Sequence, residues 1–87
     1  MYDRAINIGN KSFVIYDQIN VVIAADADKV RRLFIKWKID RDSPKVVNLT
    51  SDKETRSLII LKDGMCVLSS VNSTVLQKRI NGGSAEN

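Results

Sequence analysis

The sequence predicts an α+β fold: a small, mostly antiparallel sheet with one central amphipathic helix and a short C-terminal helix. Three observations carry that prediction. Short β-branched and apolar runs recur along the chain, divided by polar turn residues. One longer segment, Asp26 to Lys38, places its apolar residues at helical spacing. The connections between runs are short, which favours local, antiparallel returns.

Taken in order, Met1 to Arg4 reads as a frayed start. Ala5-Ile6-Asn7-Ile8-Gly9 alternates small or apolar with polar side chains, a short strand ending at a glycine. After the turn Asn10-Lys11-Ser12, the β-branched and aromatic run Phe13-Val14-Ile15-Tyr16 is expected to pair back on it. Asp17-Gln18 interrupts briefly. Ile19 to Ala24 is nearly all apolar and reads as a strand covered on both faces.

Val30, Leu33, Phe34 and Trp37 fall at i, i+3, i+4 and i+7, so they share one helix face. Lys29, Arg31, Arg32, Lys36 and Lys38 occupy much of the rest. Asp26 or Asp28 is positioned to cap the helix start, where a carboxylate accepts free backbone N–H groups. The helix is expected to stop near Asp40 to Ser43, because Pro44 has no amide hydrogen and restricts its predecessor. Lys45 to Leu49 reads as a strand and Thr50 to Thr55 as a polar loop. Ser57 to Leu61 and Met65 to Leu68 flank Lys62-Asp63-Gly64, a tight-turn hairpin signal. Val71, Val75, Leu76 and Ile80 mark a short helix capped by Asn72 or Ser73. A single domain over residues 1–81 is expected, followed by a mobile tail over 82–87 that begins with Gly82-Gly83.

Composition narrows the function. A chain of 87 residues buries a modest fraction of its surface, so self-association is a natural way to gain buried area. One cysteine and no histidine all but exclude transition-metal sites and Ser-His or Cys-His nucleophiles. The carboxylates are scattered at turns and helix ends, and Gly9 opens no glycine-rich phosphate loop, so neither catalysis nor a cofactor or small-molecule substrate is expected. Cys66, between Met65 and Val67, reads as a small core residue. Neither a secretion signal nor a membrane span is visible, which points to the cytoplasm and away from a membrane partner. Charge is the more telling feature. Half of the fourteen lysines and arginines lie between positions 29 and 45, where Asp40 and Asp42 are the only acids. A polyanion is the partner this run suggests, and a solvated helix face is the plainer alternative. The loop Thr50 to Thr55, followed by Arg56, reads equally as a simple connection or as a phosphate grip of hydroxyls with Lys53 and Arg56.

The ordered set of Ile6-Asn7-Ile8-Gly9, Val14, Ile19, Ala24 to Leu33, Thr55-Arg56, Leu58-Ile59-Ile60, Leu68-Ser69 and Gln77-Lys78-Arg79-Ile80 resembles the RemA-type extracellular-matrix regulators. The resemblance runs from Ala5 to Ile80, with a short insertion between the central helix and the polar loop. It implies a transcriptional regulator that forms ring-shaped homo-oligomers and binds double-stranded DNA along a repeated basic surface. Matrix, biofilm and osmoprotection genes are the kind of target it implies. The family's DNA-contacting arginines correspond to Gln18, which is uncharged, and to Lys53 and Glu54, of which one keeps and one reverses the charge. Lysine keeps a point charge but loses the bidentate fork of arginine. The candidate DNA contacts are therefore Lys53, Arg56, Gln18, Lys11 and Arg32. The second reading is a non-catalytic scaffold of the same fold that holds a protein partner. On either reading the central helix is scaffold first.

Overall fold

The structure is a computed structural model, and it describes residues 4–82. Met1 to Asp3 of the expected frayed start, and the expected tail beyond Gly82, lie outside the described residues. The elements follow the predicted order: β1 (Ala5–Gly9), β2 (Ser12–Ile15), a 3₁₀ turn (Tyr16–Gln18), β3 (Ile19–Ala24), α1 (Ala27–Ile39), β4 (Val46–Asn48), β5 (Ser57–Leu61), β6 (Cys66–Ser69) and α2 (Ser73–Ile80). The fold is α+β, as expected.

The strands form two sheets. Four of them lie in the order β3-β5-β6-β4, and β1 with β2 makes a separate hairpin. The pairs β3–β5 and β5–β6 are antiparallel, and β4–β6 is parallel. Strands β3 and β4 therefore point the same way at opposite edges, joined by the α1 crossover over one face. The predicted hairpin closes at Gly64, whose φ of 93° suits the tight turn.

Period-two alternation in β5 and β6 divides the core into two halves. Leu58, Cys66 and Leu68 face α1, packing with Ala25, Val30, Leu33, Phe34 and Trp37. Ile59 and Val67 face the other way, onto Ile6, Ile8 and Val14 of the hairpin and Leu76 of α2. The hairpin leaves the main sheet because its apolar face is needed as a lid on this second half. Cys66 is fully buried, and desolvation pushes its thiol up to about 11, so it is a core residue.

Two expectations are corrected. Strand β3 is not covered on both faces, because it is the edge strand and Val21 is 42% exposed. A run of apolar residues is compatible with an edge as well as a centre. The chain start is not frayed at Arg4: its guanidinium donates to the carbonyls of Arg79 and Ile80, both at 2.8 Å, and lies over the Tyr16 ring. A cation thus satisfies the last carbonyls of α2.

Helix α1 begins at the cap Asp26, whose carboxylate accepts from the Lys29 amide at 2.8 Å. It ends earlier than the proline requires. Arg41 takes φ 57°, its amide donates to Lys38 O, and the Asp42 amide donates to Trp37 O. This is a Schellman stop built on an arginine where glycine is usual. Asn72 caps α2, accepting from the Thr74 amide. No helix among the described residues is long and apolar enough to cross a membrane.

Two backbone positions give opposite expectations in one urea titration. Arg41→Gly relieves a left-handed arginine and should raise stability by about 1 kcal/mol. Gly9→Ala places a Cβ 2.9 Å from Val71 Cγ2 at φ 100° and should lower stability by roughly 1–3 kcal/mol. A stabilised Gly9→Ala or destabilised Arg41→Gly protein would contradict the assignment of these two turns.

Candidate nucleic-acid interface

The end of the sheet where β3 and β6 finish and β5 begins gathers several chain segments. Ser57 and Ser69 are directly opposite one another there and are fully buried. Buried hydroxyls need partners, and these find backbone. Ser57 Oγ donates to Val71 O at 2.5 Å, and Ser69 Oγ donates to Ile8 O at 2.7 Å while accepting from the Val71 amide. The two serines thereby tie the hairpin and the start of α2 to the main sheet. Sequence reasoning placed Ser57 at the start of a strand and gave neither serine a role, since their partners Val71 and Ile8 are distant in the chain.

The polar loop 49–56 is anchored at both ends. Asn48 Oδ1 accepts from the Thr50 amide at 2.9 Å and from Thr50 Oγ1 at 2.6 Å, and Thr50 is buried. At the far end the Arg56 amide donates to Ser69 O, and Arg56 O accepts from the Ala25 amide. The Arg56 side chain therefore starts from a backbone held on both sides, and its guanidinium reaches solvent.

Arg56 and Arg32 line one open cleft of about 390 Å³, together with Lys29, Asp26, Glu54 and Asn72. Lys29 and Arg32 stand three residues apart on the first turns of α1, so they share a face. Both helices begin at this cleft, and the positive ends of their dipoles add to the field. Two carboxylates oppose it. Asp26 is occupied as the α1 cap. Glu54 stands 3.8 Å from Arg56, with side chains 86% and 56% exposed. Pairs that open to water contribute about 0–1 kcal/mol, so this contact holds the Arg56 guanidinium only weakly.

The rest of the basic run is differently disposed. Arg31 donates to Asp28, and that hydrogen bond holds the Asp28 carboxyl below its ordinary range. Lys36 pairs with Asp40 at 3.3 Å. Among the described residues, Lys29, Arg32 and Lys53 have no ion-pair partner.

Of the five sequence-derived candidates, the structure brings Arg32 and Arg56 together at the cleft. Lys53 is exposed on the loop that runs into it. Lys11 is exposed on the β1–β2 turn, beside Gly9, which packs against Val71 at that same end of the main sheet. Gln18 does not join them. It precedes β3 at the opposite end, where its carbonyl accepts from the Lys62 amide at 2.8 Å. Six strand residues at about 3.3 Å each separate it from the cleft by roughly 15–20 Å. Lys29 is the residue sequence reasoning did not single out, although its spacing from Arg32 was there to read.

A small three-layer α+β protein with a basic cleft at one end of its sheet is what these features define. A family model described as RemA-like, extracellular matrix regulatory protein A-like, matches residues 5–80, and the chain belongs to that family. A relative from Dictyoglomus turgidum is 28% identical over 83 residues, covering 95% of this chain and 94% of its own. One from Geobacillus kaustophilus is 29% identical over 82 residues, covering 94% and 91%. One from Geobacillus sp. strain WCH70 is 30% identical over 79 residues, covering 91% and 87%. All three carry the provisional name of regulatory protein.

The loop anchor has a measurable consequence. Asn48→Ala leaves the buried amide and hydroxyl of Thr50 without their acceptor, which should cost about 1–3 kcal/mol and speed proteolysis within 49–56. Wild-type stability and cleavage rate in that variant would mean that Asn48 does not hold the loop.

Proposed function

We propose that this chain is a DNA-binding regulator that works as a ring-shaped homo-oligomer and grips the phosphate backbone through its basic strand end. The observation that carries this reading is the convergence of Arg32, Arg56 and Lys29 on one cleft, with Lys53 on the adjoining loop. Membership of the RemA-like family and the regulatory names of the relatives support it. The reading is non-catalytic.

In this reading Arg56 and Arg32 hold phosphate oxygens, and Lys53 and Lys29 add charge at the rim. Lys11 extends the surface along the same end. Gln18 has no charge to offer and stands apart, so its part is at most a hydrogen bond on the far rim. Contacts of this kind position a duplex and read little sequence directly. A single subunit with three or four such contacts binds weakly, and repetition around a ring multiplies the effect by avidity.

Glu54 beside Arg56 and the neutral Gln18 favour one second reading, a scaffold that keeps the oligomer and holds a protein partner. The two are separated by titrating the protein with a long and a short duplex at several salt concentrations. The DNA reading expects tighter binding to the long duplex and affinity that falls steeply with salt. Arg32→Ala, Lys53→Ala and Arg56→Ala should each weaken binding about tenfold and flatten the salt slope by about one per lost contact. Salt-indifferent affinity, or variants that bind like wild type, would sink it. An intact oligomer that ignores DNA even at low salt would favour the scaffold.

A further inference from the structure

At the far end of α1 from the basic cleft, a second cavity of about 460 Å³ opens between the helix end and the β5–β6 turn. Its floor is apolar, with Trp37, Ile60 and Met65 half-buried there. Its mouth is charged, with Asp42, Asp63 and Lys45 all exposed. An apolar floor of this size with a few placed polar groups is the usual make-up of a small-molecule site.

Backbone hydrogen bonds fix the mouth. The Asp42 amide donates to Trp37 O at 2.8 Å, and Lys45 O accepts from the Cys66 amide at 2.8 Å. Asp63 Oδ1 accepts from the Met65 amide at 2.9 Å, which leaves its other oxygen open. Among the described residues the Asp42 carboxylate has no hydrogen-bond or ion-pair partner, and Lys45 pairs with neither aspartate. Opposite charges that face one cavity without joining leave both signs available to a guest. Because their backbone is already held, little order has to be created when the guest arrives.

We propose that this cavity binds a small zwitterion with an apolar side group, of which a free aliphatic amino acid is the simplest case. Its ammonium donates to the Asp42 and Asp63 carboxylates, and its carboxylate accepts from Lys45. The side group packs on Trp37, Ile60 and Met65. The surrounding charges favour this class over a simple ion. Arg41 and Lys62 adjoin the two aspartates in the chain without lining the cavity, so the wider field is close to balance. A ligand of one net charge gains at one wall and loses at another, whereas a zwitterion gains at both. The negative end of the α1 dipole, beside Asp42, adds to the pull on the ammonium. The thirteen residues of α1 put this cavity about 20 Å from the basic cleft, so the proposal does not rest on the DNA reading.

Trp37 is the only tryptophan, so its emission reports on the cavity directly. The full chain is titrated at about pH 6.5, where aspartates and lysines are all charged, with L-leucine, L-leucinamide and 4-methylpentanoate. The same titrations are followed by calorimetry. The three ligands share one side group and differ in which charges they carry. Leucine should give a saturable change, and each single-charge analogue should bind about tenfold more weakly. Lys45→Met should remove the preference for leucine over leucinamide, and Asp42→Asn should reduce the preference for leucine over 4-methylpentanoate. Both positions are exposed, and circular dichroism checks that each variant folds. The wild-type comparison stands without them. Equal binding of the three ligands would mean apolar contact alone and would overturn the proposal. So would a single-charge analogue that binds tightest, or no saturable signal by either readout.

Discussion

Strands β5 and β6 are apolar on both faces, and the rest of the molecule is arranged to satisfy that constraint. Leu58, Ile59, Cys66, Val67 and Leu68 are each no more than 5% exposed. At about 25 cal/mol per Å² of buried apolar surface, leaving either face open would cost several kcal/mol in a chain of this size. One face is therefore covered by α1, and the other by the β1–β2 hairpin with α2. Covering both faces of a short central pair leaves β3 and β4 at the rims, and with them the exposed valines. The same constraint fixes where the strands end and so where Arg56, the start of α1 and the start of α2 meet.

At that meeting point weak terms decide the chemistry. Glu54 and Asp26 bring the cleft close to charge balance on paper, yet their effects differ from those of the cations. Asp26 is turned to the backbone as a cap, and Glu54 is held by a solvent-exposed contact of 3.8 Å. A phosphate offers several acceptor oxygens to Arg32 and Arg56 together, whereas Glu54 offers one distant contact to one of them. By contrast, Arg31 already has Asp28 as a partner and Lys36 has Asp40 at the end of the helix. The density of positive charge along α1 overstates what the helix presents, and the cleft at its start is the smaller, better organised part.

Much of the fold was legible because its signals are local. Asp63-Gly64 between apolar runs, the i, i+3, i+4, i+7 stripe from Val30 to Trp37, and the capping residues Asp26 and Asn72 each determine their own surroundings. What was not legible depends on partners distant in the chain. The apolar run Ile19 to Ala24 carries no mark that distinguishes an edge from a centre. Arg4 reads as a terminal charge until α2 ends beside it, and Ser57 and Ser69 carry no visible role until they meet across the ladder. The site was half legible. Arg32, Lys53 and Arg56 were named from charge and resemblance, while the distance of Gln18 from the cleft follows only from the direction of β3.

If several copies of the chain act together on a polyanion, the mass of the protein in solution with and without long duplex DNA will report it. Sedimentation at low salt should give a particle several times the single-chain mass that takes up DNA without dissociating, and releases it as salt is raised. A particle of single-chain mass whose sedimentation is unchanged by DNA would contradict the account.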